Sequence, residues 1–224
     1  MTLMEVPEGA TSQEQIHARL RHDLMVGRYP TGTVLTMRGL AEKLGVSATP
    51  VREALRRLSA EGAIQPLGNR RMIVPHMTRD RFEELIALRV TLERHAAARA
   101  LPFVPDALIG LMGEIDEAMD EAMAGGEHDR LTVLNHRFHR ALYAAAPHPV
   151  TLPQIESLWL QLGPFQREVI PRVGRFYKVD RHKQILSALI ARDGGALARA
   201  LSDDIEDGVA RAGRAAFDLT GSGS

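Results

Sequence analysis

The stretch from Thr36 to Leu58, TMRGLAEKLGVSATPVREALRRL, restricts the fold more than any other part of this 224-residue chain. Its apolar residues recur at steps of three and four on both sides of Gly45, and they are Leu40, Leu44, Val46, Val51, Leu55 and Leu58. That spacing predicts two short amphipathic helices, and the glycine between them predicts a sharp turn. Two short helices joined in this way are typical of a helix-turn-helix.

The second of these helices carries the signals expected at a helix start. Gly45 supplies the permissive backbone that a tight turn needs, and Ser47 is the predicted N-cap, whose side chain accepts a hydrogen bond from a free backbone N–H. Pro50 follows in the first turn. A proline is tolerated there because the first N–H groups of a helix have no intrahelical partner.

The start of the second helix is predicted to contact DNA. If its apolar residues face inward, four residues lie on the solvent side of its first turns, namely Ala48, Thr49, Arg52 and Arg56. In a helix-turn-helix, these positions reach base edges in the major groove. Arginine suits that contact because its planar fork pairs with O6 and N7 of guanine together.

A small hairpin is predicted after Leu58. In the following sequence, AEGAIQPLGNRRMIVPHM, the runs QPL and MIVP predict short strands around the turn LGNR. A hairpin directly after a recognition helix makes the fold a winged helix. Arg70 and Arg71 lie at its predicted tip, where they can enter the minor groove or contact phosphate.

The segment from Ala18 to Pro75 resembles the winged-helix domain of GntR-family bacterial transcription regulators. The likeness is carried above all by GVSATPVREALRRLSAEGAI, which is close to the family pattern LAxxLGVSRTPVREALxxLxxEGLV and continues without a gap. The resemblance implies that the DNA-contacting positions of the family fall on residues Arg38, Ala48, Thr49 and Arg52.

Two positions depart from that family pattern. Ala48 stands where the family usually has an arginine, and Arg71 stands where a wing glycine is common. The first departure removes one expected guanine contact. Either the operator differs at that base, or Arg56 or the wing compensates for the missing contact.

The whole chain is predicted to be mainly α, with an N-terminal winged helix-turn-helix followed by an all-helical bundle of six to seven helices. The winged helix spans 12–75, 76–78 is a linker, 79–219 is the helical domain, and 1–11 and 220–224 are flexible tails. Ser12 is the predicted cap of the first helix. The helices predicted in the second domain start near Thr78, Leu108, Asp129, Pro153, Tyr177 and Ala196, and the last ends near Phe217. In the second of them, the predicted inward residues are Leu108, Leu111, Ile115 and Met119.

Composition excludes several classes of protein. The chain has no cysteine, which excludes disulfides and thiolate metal sites, and no apolar run approaches the roughly 20 residues that a membrane helix needs. Residues 1–75 carry ten Lys and Arg against seven Asp and Glu, and residues 76–224 carry eighteen against twenty-one. The N-terminal part is therefore the basic one, as DNA binding requires. We expect a cytoplasmic protein without a membrane partner.

Four polar residues in the helical domain are predicted to point inward. Asn135 and His139 flank the apolar stripe of one helix, and His182 and Asp204 share the apolar sides of two later helices, whereas His136 and Asp207 turn toward solvent. A buried polar group without a partner costs roughly 1–3 kcal/mol. Either each of the four forms a local hydrogen bond, or they share a cation such as zinc, nickel, manganese or iron(II).

Residues from Arg79 to Phe217 resemble the helical FCD effector domain of FadR-type GntR regulators. Many such domains hold one divalent metal ion with an aspartate and a histidine in the motif DxxxH and with two further histidines. The resemblance places this set on Asn135, His139, His182 and Asp204. The first and last depart from the pattern, because an amide replaces a carboxylate and a carboxylate replaces an imidazole.

Arg89 has two interpretations in the sequence ALRVTLERHAA. It lies on the predicted buried side of its helix, where Glu93 one turn later is the local partner for its charge. The resemblance to FCD domains implies the alternative, in which Arg89 faces a cavity and binds the carboxylate of an organic-acid effector.

These patterns together predict a ligand-responsive bacterial transcription regulator. It would bind a palindromic DNA operator as a homodimer, and a small metabolite, expected to carry a carboxylate, would change its affinity for DNA. Two alternatives remain from the residues alone. One is a hydrolytic enzyme that uses a metal ion in the inward cluster, and the other is a DNA-binding protein without a ligand.

Overall fold

A computed structural model describes residues 11–147, 150–173 and 179–221 of the protein. The first elements of the chain are α1 (Ser12–Met25), β1 (Val34–Thr36), α2 (Met37–Leu44), α3 (Ala48–Ala60), β2 (Gln65–Gly68) and β3 (Arg71–Ile73). The remaining α-helices are α4 (Arg79–Ala100), α5 (Asp106–Ala124), α6 (His128–Tyr143), α7 (Thr151–Val173), α8 (Arg181–Ile190), α9 (Gly194–Ile205) and α10 (Arg211–Gly221). Among the described residues, no helix combines the length and the apolar character needed to cross a membrane.

The chain forms two compact units. The first unit consists of the residues up to Thr78 together with Trp159–Glu168 from the middle of α7, and the second consists of Arg79–Leu158 and the residues from Val169 onward. The division after Thr78 falls at the end of the predicted linker. The sequence pattern gave no indication that part of α7 belongs to the first unit.

Helix α1 begins one residue away from the predicted cap. Thr11, and not Ser12, is the N-cap: its side chain accepts from the backbone N–H of Glu14, and the Glu14 carboxylate accepts from the backbone N–H of Thr11 at 2.8 Å. This reciprocal pair is a capping box, which satisfies two N–H groups that the helix leaves free. Thr11 therefore belongs to the folded domain, although it was predicted to end a flexible tail.

The helix-turn-helix forms as the apolar spacing predicts. Helices α2 and α3 bury Leu40, Val51, Leu55 and Leu58 between them and their neighbours. Gly45 ends α2 in the left-handed conformation, with φ at 68°. Ser47 occupies the N-cap position of α3, but its side chain makes no capping hydrogen bond, so that detail of the prediction is wrong.

A three-stranded antiparallel sheet in the order β1-β3-β2 forms the wing. Strands β2 and β3 confirm the predicted hairpin. Its turn passes through Asn69 and Arg70, whose φ values of 49° and 57° are those that a tight hairpin turn requires. Strand β1 was not predicted; its central residue Leu35 pairs with Met72 of β3 and is buried.

Among its described residues, the second unit contains helices and no strand. Helices α4 and α6 bury Phe82, Leu85, Phe138 and Leu142. The phase predicted for α5 is wrong at Leu111, which is 46% exposed. The buried side of α5 instead carries Ile109, Met112, Ile115, Asp116 and Met119.

The last two predicted helices differ from the structure, one at its start and the other in its middle. Helix α8 begins at Arg181 behind the N-cap Asp180, whereas the predicted start at Tyr177 lies outside the described residues. The final predicted helix is divided by a π-helical turn, Glu206–Ala210, between α9 and α10. A π turn inside a helix is frequent at functional sites.

Gly163 of α7 is a point of close contact within the first unit. A Cβ atom at this position would lie 2.5 Å from the carbonyl oxygen of Met25 and 2.6 Å from that of Leu24, both at the end of α1. Those are backbone atoms, so the helices themselves would have to move apart. The glycine is therefore a packing requirement of this unit.

We expect Gly163→Ala to lower the free energy of unfolding by about 1–3 kcal/mol, because overpacking forces backbone shifts of that cost. Gly113→Ala in α5 is the matched control, since a Cβ there meets nothing within 4 Å. That control should gain roughly 0.5–1 kcal/mol from helix propensity. Denaturant unfolding of both variants measures the difference, and equal effects would contradict the close contact.

Candidate functional site

Two adjoining concave surfaces lie between α2, α3 and the wing. The first is lined by Arg52, Arg56 and Arg70. The second is lined by Arg38, Arg52, Arg70 and Arg71. Arg52 and Arg70 belong to both surfaces, so the five arginines predicted to contact DNA share one side of the unit. Thr49 is exposed in the first turn of α3 but lines neither surface.

The arginines of this surface differ in how they are held. Arg56 donates two hydrogen bonds to the Glu53 carboxylate, at 3.0 Å from Nε and 2.6 Å from an Nη atom. The hydrogen bonds from Arg56 lower the pKa of Glu53 to about 2, so that carboxylate is charged at neutral pH. Within the described part of the chain, Arg38, Arg52, Arg70 and Arg71 make no side-chain hydrogen bond or ion pair.

Four exposed guanidinium groups with no partner among the described residues suit the recognition of nucleic acid. A guanidinium binds phosphate or the edge of guanine through two parallel N–H groups. The start of α3 offers Arg52 for the major groove, and the hairpin offers Arg70 and Arg71 beside it. Arg56 must share its donors with Glu53.

The inward polar residues predicted in the helical domain come together in the second unit. His139 Nε2 lies 3.1 Å from Asp204 Oδ2, and His182 Nε2 lies 3.6 Å from Asp204 Oδ1 and 3.1 Å from Asn135 Oδ1. His139, His182 and Asp204 are buried, and Asn135 is half-buried. Helices α6, α8 and α9 therefore direct four potential ligand atoms to one point.

The spacing of these atoms fits a shared cation. Ligand atoms that bind one transition metal at about 2.0–2.2 Å lie roughly 3–3.5 Å from each other. His139 Nε2 is buried and makes no hydrogen bond to a described residue, although a carboxylate oxygen of Asp204 is 3.1 Å away. A metal ion between the two atoms would give His139 Nε2 a partner. Two imidazoles, a carboxylate and an amide oxygen are a donor set for zinc, nickel, manganese or iron(II).

Asp116 of α5 is a further member of the cluster that the sequence analysis missed. Its Oδ1 lies 3.4 Å from Nδ1 of His182, and the residue is only 3% exposed. Burial alone would lower the pKa of His182, but the carboxylates of Asp204 and Asp116 outweigh that effect and raise the pKa. The site thus holds two buried carboxylates, whose two negative charges a divalent cation can balance and a proton on His182 can offset in part.

Two residues predicted to face solvent are buried. His136 is fully buried and Asp207 is 4% exposed. Asp207 lies in the π-helical turn and accepts hydrogen bonds from Arg181 Nε at 2.8 Å and Nη2 at 2.7 Å. Neither residue shares a cluster of potential metal ligands with His139 in the described part of the chain.

Arg89 is linked to this cluster through Glu93 and Tyr143. Its Nε donates to Oε1 of Glu93 at 2.7 Å, and Oε2 of Glu93 accepts at 2.8 Å from the hydroxyl of Tyr143. All three residues are buried. The local partner predicted for Arg89 is therefore present, while the remaining N–H groups of Arg89 make no hydrogen bond to a described residue.

Comparison with known proteins decides the family. The chain matches the family model "Bacterial regulatory proteins, gntR family" over residues 12–74 and the model "FCD domain" over residues 84–207, and the second match alone covers more than half of the chain. The chain belongs to the GntR family. Its predicted fold class, a winged helix-turn-helix followed by a helical FCD domain, is confirmed.

Relatives of this GntR-family chain are transcription regulators. The chain is 28% identical over 199 residues to the HTH-type transcriptional regulator McbR of Escherichia coli (strain K12), which covers 88% of this chain and 90% of McbR. It is 24% identical to the gluconate operon transcriptional repressor of Bacillus subtilis (strain 168), over 89% of this chain and 86% of that protein. The solved structure of E. coli McbR/YncC superposes with a TM-score of 0.85 at 25% identity and covers 92% of this chain and 99% of that one.

The GntR-family assignment separates the alternatives that the residues left open. The protein is a bacterial DNA-binding transcription regulator, and the alternative of a metal-dependent hydrolytic enzyme is wrong. Asn135 and Asp204 are the two positions of the cluster that depart from the family pattern. Their oxygens nevertheless lie 3.1 Å from His182 Nε2 and from His139 Nε2, respectively.

Proposed function

We propose that this regulator binds a palindromic operator as a homodimer and that a small carboxylate-containing metabolite, bound at a divalent cation in the FCD domain, changes its affinity for DNA. The observation that carries the proposal is the meeting of Asn135, His139, His182 and Asp204 at one buried point, beside Arg89. The operator would be met in the bacterial cytoplasm, where we place the protein.

The arginine surface supports the DNA-binding half of the proposal. A two-fold dimer presents two recognition helices to two half-sites, which makes the operator palindromic. We assign base contact to Thr49 and Arg52 of α3, and contact with phosphate or the minor groove to Arg38, Arg70 and Arg71. Arg56 joins them if it leaves Glu53 or shares its donors with it.

The cluster of Asn135, His139, His182 and Asp204, called the cation cluster below, supports the ligand-binding half of the proposal together with Arg89. The cation would be zinc, nickel, manganese or iron(II), held by the two imidazoles, Asp204 and Asn135. Arg89 uses only Nε for Glu93, and its Nη groups have no hydrogen-bond partner among the described residues. These Nη groups can therefore bind an anion. A carboxylate effector can then interact with the metal ion and with this guanidinium, and both contacts favour a negative charge.

Regulation follows from differential affinity. An effector changes DNA binding only if it binds one arrangement of the dimer more tightly than another. The resulting coupling free energy is typically 1–3 kcal/mol, which is a change of roughly 5- to 150-fold in operator affinity.

The proposal is tested on a DNA duplex that the protein selects from random sequences. We expect the selected site to contain two inverted copies of one short sequence, and sedimentation of the complex to give two chains per duplex. With zinc-loaded protein, we expect one or more of a panel of dicarboxylates to change the dissociation constant at least fivefold. The corresponding diamides, which lack the negative charge, are the matched control.

Two results would contradict this assignment. A selected site without internal symmetry, bound by one chain, would contradict the homodimer. An unchanged DNA affinity and an unchanged melting temperature with every carboxylate would support the alternative of a ligand-independent DNA-binding protein, because a ligand that binds the native state must stabilise it.

A further inference from the structure

A continuous line of buried side chains leads from Arg89 to the cation cluster. Arg89 Nε lies 2.7 Å from Glu93 Oε1, and Glu93 Oε2 lies 2.8 Å from the hydroxyl of Tyr143. The same hydroxyl lies 3.3 Å from Nδ1 of His139. Glu93, His139 and Tyr143 have no exposed surface, and Arg89 is 4% exposed. Helices α4 and α6 supply all four residues.

The direction of each hydrogen bond in this line follows from its Arg89 end. Arginine has only donors, and an ionised carboxylate has only acceptors. Tyr143 must therefore give its single hydroxyl proton to Glu93. The hydroxyl oxygen is left as an acceptor, so the bond to His139 needs a proton on Nδ1 of that imidazole.

We propose that Tyr143, held by the Arg89–Glu93 pair, is a positioning residue that keeps His139 as the Nδ1–H tautomer, so that Nε2 presents its lone pair to a cation. The inference rests on the proposed metal-dependent function and names residues outside the ligand set. A histidine that binds metal through one ring nitrogen usually donates the other N–H to a fixed acceptor, and loss of that acceptor weakens metal binding.

Two further observations agree with this role. Burial, together with the negative charge of Glu93, raises the pKa of Tyr143 well above its ordinary value, so the phenol keeps the proton that it donates. The His139 and Tyr143 rings are nearly parallel, at an angle of 27° and a centroid distance of 6.0 Å. The Nε2 atom of the imidazole lies on the side of Asp204.

The test compares Tyr143→Phe with Tyr29→Phe. The first variant removes the acceptor and keeps the ring, and the second removes a hydroxyl that accepts from Lys43 in the other compact unit. Nitrogen-15 NMR of the metal-free wild type at about pH 8, where a free imidazole is neutral, should show His139 with its proton on Nδ1. Tyr143→Phe should lose that preference and bind zinc about 10- to 100-fold more weakly, whereas Tyr29→Phe should match the wild type.

The tautomer is read without metal, so the inference is tested separately from the metal-dependent function. A proton on Nε2 of His139 in the wild-type protein would overturn it, and so would unchanged zinc affinity in Tyr143→Phe. If the wild type shows the Nδ1–H tautomer but binds no zinc, the metal-dependent function fails while the positioning by Tyr143 is supported. The wild-type spectrum decides this point even if Tyr143→Phe does not fold.

Discussion

Arg52→Ala is expected to abolish specific operator binding while leaving the protein folded. Arg52 is exposed near the start of α3, lines both concave surfaces and has no internal partner in the described part of the chain. One bidentate contact with guanine contributes about 1–3 kcal/mol of discrimination, and a dimer makes this contact twice. The expected loss is therefore about 2–6 kcal/mol, or roughly 30- to 10⁴-fold in affinity, measured by fluorescence anisotropy on the selected duplex.

Arg57→Ala is the matched control for this experiment. Arg57 is another exposed arginine of α3, but it lies 3.5 Å from Glu53 and lines neither concave surface. Removal of a distant surface charge should change affinity only a few-fold and mainly at low salt. Equal losses in the two variants would indicate a general effect of charge, and undiminished binding by Arg52→Ala would contradict the assignment of α3 as the recognition helix.

The alanine at position 48 leaves the DNA-binding surface without the arginine that the family usually has there. Arg56 and the wing are the two expected sources of a contact that replaces the one lost at Ala48. Arg56 already donates to Glu53. Arg70 of the wing has no internal partner in the described part of the chain and borders the same surface as Ala48. The structure therefore favours the wing over Arg56 as the source of a compensating contact. A different base in the operator at this position remains the other outcome.

The helix-turn-helix could be predicted from sequence because its signals are local. The apolar spacing, Gly45 and Pro50 each act within a few residues, and they agree with each other. Strand β1 lacked such a signal, since its three residues become a strand only through pairing with β3, which lies far along the chain. Its pattern also continues directly into α2, so the sequence alone does not separate the two elements.

Helix α5 shows how a small error in phase hides a buried carboxylate of the cluster. The stripe through Leu108 and Leu111 fits a helical period as well as the observed stripe through Ile109 and Met112 does. Only the observed phase continues to Asp116 at the next turn, and it brings that carboxylate to His182. An aspartate inside an apolar stripe was the available signal for this member of the cluster.

The cation cluster itself was predictable only as a set of inward residues. Periodicity placed Asn135, His139, His182 and Asp204 on the inner sides of three helices, and the structure brings their atoms together. Periodicity failed for His136, which is adjacent to the stripe and is buried by tertiary packing. Periodicity singled out the four residues that meet, and the family resemblance then added the expectation of a shared metal ion.

His139→Ala and His182→Ala are each expected to lose the metal ion that the wild-type protein binds. Untagged wild-type protein, exposed to zinc and then freed of excess, should hold near one equivalent per chain by elemental analysis, and both His139→Ala and His182→Ala should lose it. Each variant removes an imidazole from a site with two imidazoles, and Asn135 supplies only a weak neutral oxygen in compensation. His95→Ala is the matched control, because His95 is exposed on α4.

Melting temperatures measured without and with zinc separate the loss of metal from a loss of folding. Without zinc, His139→Ala is expected to melt slightly below the wild type, because it leaves a cavity beside Tyr143. With zinc, only the wild type and His95→Ala should gain thermal stability, by an amount that grows with the logarithm of zinc concentration. Absence of metal in the wild type after exposure to zinc, nickel and manganese would mean that Asn135 and Asp204 no longer support a metal site. A proton on His182 would then offset part of the charge of the two buried carboxylates, and an anionic effector would depend on the Nη groups of Arg89, which have no hydrogen-bond partner among the described residues.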